Sequence, residues 1–158
     1  MKVQKTNAMR MLDRAKIPYE IFTYEVDEND LSGTHVATVV GLPYSQVFKT
    51  LVAKGDKTGY VVFVIPVDKE IDLKAAAVAS NNKRVEMIAV KDLLSVTGYI
   101  RGGCSPVGMK KQFPTYFDES VKNHDHIAVS AGVRGCQLFL DRDKLIEFTK
   151  AEIKEVIR

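Results

Sequence analysis

The chain has 158 residues, of which 46% are hydrophobic, and its 23 basic and 20 acidic side chains leave a formal net charge of +3. This composition excludes a disordered chain, because so much apolar surface offsets the conformational entropy lost on folding. The length predicts one domain over residues 1–158. The small positive charge permits contact with a nucleic acid but does not by itself indicate one.

The apolar runs and the cysteines predict a cytoplasmic protein. The longest apolar run, residues 60–67, is too short to cross a bilayer. The polar start lacks the apolar core of a secretory signal. Cys104 and Cys136 are too few for a disulfide scaffold and fit reduced thiols. We therefore expect no membrane partner.

Hydrophobic spacing and turn residues predict the elements in chain order. Helices are predicted for residues 6–16, 34–41, 72–80, 90–97 and 144–157, the second capped by Thr34 and the last broken near Thr149. Strands are predicted for residues 19–24, 47–53, 60–67, 84–87, 115–117, 127–130 and 137–140. Short strands mixed with helices, without regular alternation, predict a mixed α/β fold with a mixed sheet or a partly closed barrel.

Lys49 is the residue that most strongly suggests chemistry. It lies in an apolar strand, on the same face as Val47 and Leu51, while Phe48 and Val52 occupy the other face. A lysine in a strand covered on both sides loses hydration unless it meets an anion or opens into a polar cleft. The alternative is an edge-strand lysine whose ammonium extends to water.

Two glycine-containing segments could hold a ligand through their backbone. In the first, Gly102 and Gly103 would allow N–H groups to approach a phosphate, a carboxylate or an ester oxyanion. A tight connection bent by Pro106 explains the same pattern. In the second, Gly132 and the glycine three residues later suit a hairpin, and Ser130 at the strand end could reach a ligand.

Residue sets typical of other catalytic sites are incomplete. His124 and His126 would point the same way if extended, but no further ligand completes a metal site, so a solvated turn is expected. Cys104 has no histidine near it in sequence, which favours a packed apolar role over that of a nucleophile. Cys136, at the start of a predicted strand, is expected to lie in the core. Neither a metal nor a cofactor is expected.

Several segments in order resemble the YbaK/EbsC family of aminoacyl-tRNA deacylases. They are residues 16–25, the strand 46–51, residues 71–74, residues 97–99, the loop 102–106 and residues 129–135. The resemblance extends from the first helix to the last strand. It implies a twisted, mostly antiparallel, barrel-like sheet surrounded by helices.

The resemblance also implies an activity, which is hydrolysis of cysteine wrongly attached to proline tRNA. It places the functional lysine at Lys49. It implies that the same pocket is lined by Tyr24, Thr50, Gly102, Gly103, Ser130 and Gly132. An activated ester mainly has to be positioned and its oxyanion stabilised, and the substrate's own thiol can serve as the nucleophile. Lys49 would then bind the terminal adenosine or its phosphate.

Two other functions stay open at the level of sequence. A protein of the same fold could hydrolyse alanyl- or seryl-tRNA instead, since pocket volume decides between these substrates. A non-catalytic module could bind the CCA end or a nucleotide and dock on a synthetase. The expected partners are the 3′ CCA end of an aminoacyl-tRNA and prolyl-tRNA synthetase.

Overall fold

The computed structural model describes residues 4–158 and shows a mixed α/β fold, as predicted. The helices are α1 (Asn7–Arg14), α2 (Gly33–Val40), α3 (Leu73–Ala79), α4 (Val90–Thr97) and α5 (Arg142–Thr149). The strands are β1 (Tyr19–Thr23), β2 (Phe48–Gly55), β3 (Gly59–Pro66), β4 (Val85–Met87), β5 (Thr115–Asp118), β6 (His126–Ser130), β7 (Cys136–Asp141) and β8 (Glu152–Lys154). Short 3-10 helices span Tyr44–Gln46 and Glu119–Asn123. No helix within residues 4–158 is long and apolar enough to cross a membrane.

The strands form two sheets, with orders β4-β2-β3-β5-β8 and β1-β7-β6. Four of the six pairings are antiparallel, which confirms a mostly antiparallel arrangement. The prediction of a barrel-like closed sheet is wrong, because the described part of the chain forms two separate open sheets. The sheets meet at one isolated parallel bridge, between Val47 and Ala128, and a single bridge leaves β2 and β6 free to diverge.

Both faces of β2 are covered, as its apolar alternation predicts. Phe48 and Val52 pack in the main core, which also contains α1 residues and the inner face of the three-stranded sheet. Ala53, with Leu51 beside it, packs in a second cluster together with residues of α3. Lys49 lies on the same face as Leu51 and Ala53, so its side chain projects from a strand whose two faces are otherwise apolar.

The start of α2 differs from the prediction. Ser32, and not Thr34, is the N-cap, and its side chain accepts a hydrogen bond from the N–H of His35 at 3.3 Å. The helix therefore begins at Gly33. Its predicted end is confirmed, because Gly41 takes the left-handed conformation there, with φ of 77°.

The predicted break of the C-terminal helix near Thr149 is confirmed, but the helix predicted beyond it, as far as residue 157, is wrong. The observed helix α5 ends at Thr149, and Lys150 takes a left-handed conformation with φ of 56°. The chain then forms β8, which pairs in parallel with β5. Ile153 packs on the main core between exposed Glu152 and Lys154, so the residues alternate with the period of a strand rather than that of a helix.

Gly33 allows the first turn of α2 to lie directly on the chain after β3. A Cβ atom at this position would lie 2.7 Å from the Cβ of Val67. Any other residue type would force α2 or Val67 to shift. Gly33 and Val67 both line a cleft beside β2, so this contact lies on the wall of that cleft.

Replacing Gly33 with Ala should destabilise the protein by about 1–3 kcal/mol, because the added methyl group overpacks the contact with Val67. Urea unfolding would measure the change. Val39→Ala, on the solvent side of the same helix, is the control and should stay within about 0.5 kcal/mol of the wild type. Equal stability of Gly33→Ala and the wild type would contradict the packing argument.

Candidate functional site

A cavity of about 390 Å³ lies where β2 and β6 diverge beyond their single bridge. Its walls come from the start of α2, the edge of β2, the chain entering α4, the glycine segment after α4, and the adjoining ends of β6 and β7. Most of these walls are apolar. The few polar groups on them therefore decide which ligand fits.

The edge of β2 presents unpaired backbone groups to this cavity. The N–H of Val67 donates to the carbonyl of Val47 at 2.9 Å, so the odd-numbered residues of β2 bond to β3. The even-numbered residues direct their backbone groups the other way. Val52 uses its carbonyl to accept from Ile88 at 3.2 Å, whereas no strand pairs with Thr50 on that side. The N–H and carbonyl of Thr50 consequently face the cavity.

The bridge also determines which side chains share the cavity. Val47 opposite Ala128 places Lys49 and Ser130 on the same face, two residues further along. Ser130 lies directly opposite Gln137 in the β6–β7 ladder, so Gln137 joins that face. All three line the cavity. Residues far apart in sequence therefore converge through strand register.

Lys49 is half-buried and forms neither an ion pair nor a side-chain hydrogen bond among the described residues. Burial lowers the pKa of its ammonium below the ordinary lysine value, while the carboxylates of Glu70 and Asp68 act in the opposite direction. Both carboxylates are exposed to solvent. An ammonium that has lost hydration without gaining a direct partner favours binding of an anionic ligand.

The two other polar side chains on this face differ in their bonding. The Ser130 hydroxyl accepts from the N–H of Gly132 at 3.2 Å, which leaves its own proton free to donate. Gln137 is 5% exposed, and its Oε1 has no hydrogen-bond partner within residues 4–158. The Oγ1 of Thr50, which projects from the opposite face of β2, is likewise buried and unpartnered.

Four of the seven predicted site residues line the cavity: Lys49, Thr50, Gly102 and Ser130. Gly102 has φ of 85°, and its N–H finds no acceptor in the described part of the chain. This N–H is therefore available to a ligand.

The other three predicted site residues, Gly103, Gly132 and Tyr24, are not on the cavity lining. The N–H of Gly103 donates to the carbonyl of Ile100 at 3.0 Å, and a Cβ there would lie 3.2 Å from the backbone of Val133. Gly132 has φ of 100° and packs on the ring of Tyr99. Tyr24 is half-buried after β1. The two glycines let the glycine segment and the β6–β7 turn pack closely next to the residues that line the cavity.

Cys104 lines the cavity but is poorly suited to be a nucleophile. Burial raises the pKa of its thiol to about 12, and a hydrogen bond with Thr97 only partly offsets this. Burial also raises the pKa of the Cys136 thiol, which lies in the main core. The expectation of a packed, apolar role for Cys104 agrees with this environment.

The histidine pair has structural contacts. The Nε2 of His124 lies 2.9 Å from the Oγ of Ser45. The ring of His126 stacks on Phe139, with centroids 5.5 Å apart. No cluster of three or more potential metal ligands occurs among residues 4–158.

Gln137 and Arg101 also line the cavity, and neither was predicted from the sequence as a site residue. Gln137 is a lone amide in the apolar strand β7, the same signal that singled out Lys49 in β2. Arg101 is exposed at the cavity, next to Gly102, and its carbonyl accepts from the Nε of Arg134 at 2.8 Å. Its position in the glycine segment could have indicated a second cation near the ligand.

The chain is similar over most of its length to proteins of one family. The model of a family described as the aminoacyl-tRNA editing domain matches residues 32–148. Over 153 residues the chain is 50% identical to EbsC of Enterococcus faecalis, a candidate Cys-tRNA(Pro)/Cys-tRNA(Cys) deacylase, covering 97% of this chain and 93% of that protein. It is 24% identical over 129 residues to YwhH of Bacillus subtilis, with 82% of each protein covered.

Two solved structures share the fold at low sequence identity. The hypothetical protein APE2540 has a TM-score of 0.87 at 18% identity, covering 97% of this chain and 100% of that one. A candidate trans-editing enzyme for prolyl tRNA synthetase has a TM-score of 0.82 at 20% identity, with 99% of each chain covered.

Alkylation should distinguish the packed thiols from reactive ones. With a pKa of about 12, only about one Cys104 thiol in ten thousand is ionised at pH 8, so the folded protein should react with iodoacetamide far more slowly than the unfolded chain. Mass spectrometry of tryptic peptides would follow each cysteine, with the urea-unfolded protein as the control. Rapid modification of Cys104 in the folded protein would contradict its assigned environment.

Proposed function

Because this chain belongs to the aminoacyl-tRNA editing domain family, we propose that it is a trans-editing deacylase that hydrolyses cysteine from mischarged proline tRNA. The activity named for the E. faecalis relative, which is half identical over nearly the whole chain, supports this substrate. Such an enzyme is needed because a synthetase pocket discriminates poorly between side chains of similar size, by roughly 10–200-fold per methylene.

The observation that carries the proposal is the unpaired Lys49 ammonium in the cavity. An aminoacyl-tRNA presents a phosphodiester next to the adenosine that bears the amino acid. The Lys49 ammonium would bind the anionic 3′ end, and exposed Arg101 provides a second cation on the cavity lining. These charges would hold the ester in the cleft between β2 and β6.

The backbone donors around Lys49 suit the ester carbonyl. The N–H of Thr50 faces the cavity from the strand edge, and the N–H of Gly102 has no acceptor among residues 4–158. The free proton of the Ser130 hydroxyl adds a side-chain donor. Donors that are already in place lower the barrier, because they stabilise the negative charge that develops on the carbonyl oxygen. Gly103 and Gly132 would support this arrangement through the close packing of the glycine segment and the β6–β7 turn, and Tyr24 would act outside the cavity lining.

The described residues of the cavity lining offer donors and cations but no side chain suited to attack, so the substrate's thiol is the proposed nucleophile. Its thiolate attacks the ester carbonyl, forming a carbon–sulfur bond. The bond from that carbon to the ribose oxygen breaks, and the ribose oxygen takes up a proton. The resulting thiolactone is opened by water to give free cysteine. The nearby ammonium of Lys49 favours the thiolate form.

Prolyl-tRNA synthetase is the proposed partner, as the source of the mischarged tRNA. The formal net charge of +3 provides little general attraction for a tRNA. Identity of the tRNA would then be supplied by the synthetase. A strong preference for proline tRNA in the isolated enzyme would contradict this part of the proposal.

Lys49→Ala should lower kcat/KM for Cys-tRNA(Pro) by at least about a hundredfold, because the variant loses the cation that positions the 3′ end. The assay follows ester loss from proline tRNA charged with Cys, Ala, Ser or Pro. Lys54→Ala is the matched control, since Lys54 is exposed on the same strand and contacts Tyr60. Full activity of Lys49→Ala would refute the assigned role, and tRNA binding without hydrolysis would indicate a non-catalytic module.

The rate should rise with pH if the substrate's thiolate attacks. A free thiol has a pKa of about 8.5, so the thiolate fraction grows about tenfold per pH unit below that value. Single-turnover hydrolysis of Cys-tRNA(Pro), corrected for spontaneous loss, would be measured from pH 6 to 8. Proline tRNA carrying S-methylcysteine is the control and should resist hydrolysis. Rapid hydrolysis of that ester would show that the substrate's thiol is unnecessary.

A further inference from the structure

Gln137 has a polar group that the folded protein leaves unused. Its side chain is 5% exposed and lines the cavity, and its Oε1 has no partner among residues 4–158. Burying a polar atom without a hydrogen bond opposes folding, and native proteins do so rarely. Phe139, the next residue of β7 on the same face as Gln137, packs against an apolar cluster, so an apolar residue at position 137 would also suit this face.

The groups around Gln137 show what kind of ligand atom it can bind. The side chains of Lys49 and Arg101 are hydrogen-bond donors only, and the free proton of Ser130 also donates. No carboxylate occurs among the described residues that line the cavity. Acceptors are therefore scarce, and Gln137 Oε1 is one of them, together with the backbone carbonyl of Thr50 at the edge of β2.

An aminoacyl ester brings one group that needs acceptors, its free α-amino group. This group has an ordinary pKa of about 7.7–8.0, so its neutral form is accessible near neutral pH. The cations at Lys49 and Arg101 favour that neutral form, which has two N–H donors. Inside an apolar cavity these donors must find acceptors or lose hydrogen bonds that they made in water.

We propose that Gln137 forms the subsite for the free α-amino group of the aminoacyl ester, with Oε1 accepting a hydrogen bond from it. This inference rests on the proposed function. It implies selection between two classes of tRNA ester. Aminoacyl-tRNA with a free amine is accepted, and N-acylated forms, such as peptidyl-tRNA, are rejected because the amide has one N–H fewer and more bulk.

The experiment compares Cys-tRNA(Pro) with N-acetyl-Cys-tRNA(Pro), which keeps the thiol and the ester but blocks the amine. The kcat/KM for each is measured with the full-length wild type and with Gln137→Leu and Gln137→Glu. Acetylation also changes the intrinsic reactivity of the ester, so each rate is divided by the spontaneous rate of the same substrate. The free-amine preference is the ratio of the two normalised values.

The wild type should prefer the free amine by at least about tenfold. Gln137→Leu should lose about tenfold to a hundredfold in kcat/KM on Cys-tRNA(Pro) and change little on the acetylated substrate, so that the preference disappears. Gln137→Glu keeps an acceptor but has no amide donor, so this variant should retain the free-amine preference. Loss of the preference in Gln137→Glu would show that the amide N–H is the active group and would overturn the proposal.

Two further measurements separate binding from a structural role. Gln137→Leu should unfold at a temperature equal to or above that of the wild type, because the unpartnered buried oxygen is removed. Ser120→Ala is the control for this effect, since the Ser120 Oγ is also buried and unpartnered but lies outside this cavity. It should leave both activities unchanged. A destabilised Gln137→Leu that loses activity equally on both substrates would assign Gln137 to the fold and overturn the subsite.

Failure of the subsite and failure of the proposed function give different results. A wild type that hydrolyses both substrates with equal normalised kcat/KM would refute the amine subsite and leave the deacylase activity standing. A wild type that hydrolyses neither substrate above the spontaneous rate would refute the deacylase function, and the inference that rests on it would fall too.

Discussion

The arrangement of the site depends on the single parallel bridge between Val47 and Ala128. It joins the two sheets at one point and leaves β2 and β6 unpaired beyond it. The separation exposes the backbone edge of β2 at Thr50 and creates the cavity between the strands. A longer ladder would have satisfied the edge of β2 and closed the space. The site is thus a gap in sheet pairing, walled by α2, by α4 and by the glycine segment.

The polar groups of the site are held by backbone structure rather than by contacts among themselves. Lys49 and Gln137 lie within strands, where neighbouring residues anchor them in apolar clusters. Neither side chain has a hydrogen-bond partner in the described protein. Each therefore costs stability in the free protein, and each is available when a ligand enters. Unused polar groups in otherwise well-packed strands are typical of binding sites, where stability is sacrificed for function.

The chemistry available in the cavity is complementary to a charged tRNA 3′ end. Cations suit the phosphodiester, backbone N–H groups suit a developing oxyanion, and the acceptor on Gln137 suits an amine. The high pKa of the Cys104 thiol removes the obvious protein nucleophile. With the ester already activated, positioning and electrostatic stabilisation are the contributions left to the protein. A nucleophile supplied by the substrate fits this limited role of the protein. It would restrict the reaction to esters whose amino acid carries a nucleophilic side chain.

The sequence by itself determined the local features. The bounds of α4, the end of α2 at Gly41, and the strand that carries Lys49 all follow from short-range patterns of apolar and turn residues. Tertiary structure alone decided which residues meet. Gln137 joins Lys49 only through the register of strands far apart in the chain. Residues 151–157 leave the helix because β5 offers an unpaired edge to β8. Strand pairing is non-local, so local pattern does not encode it.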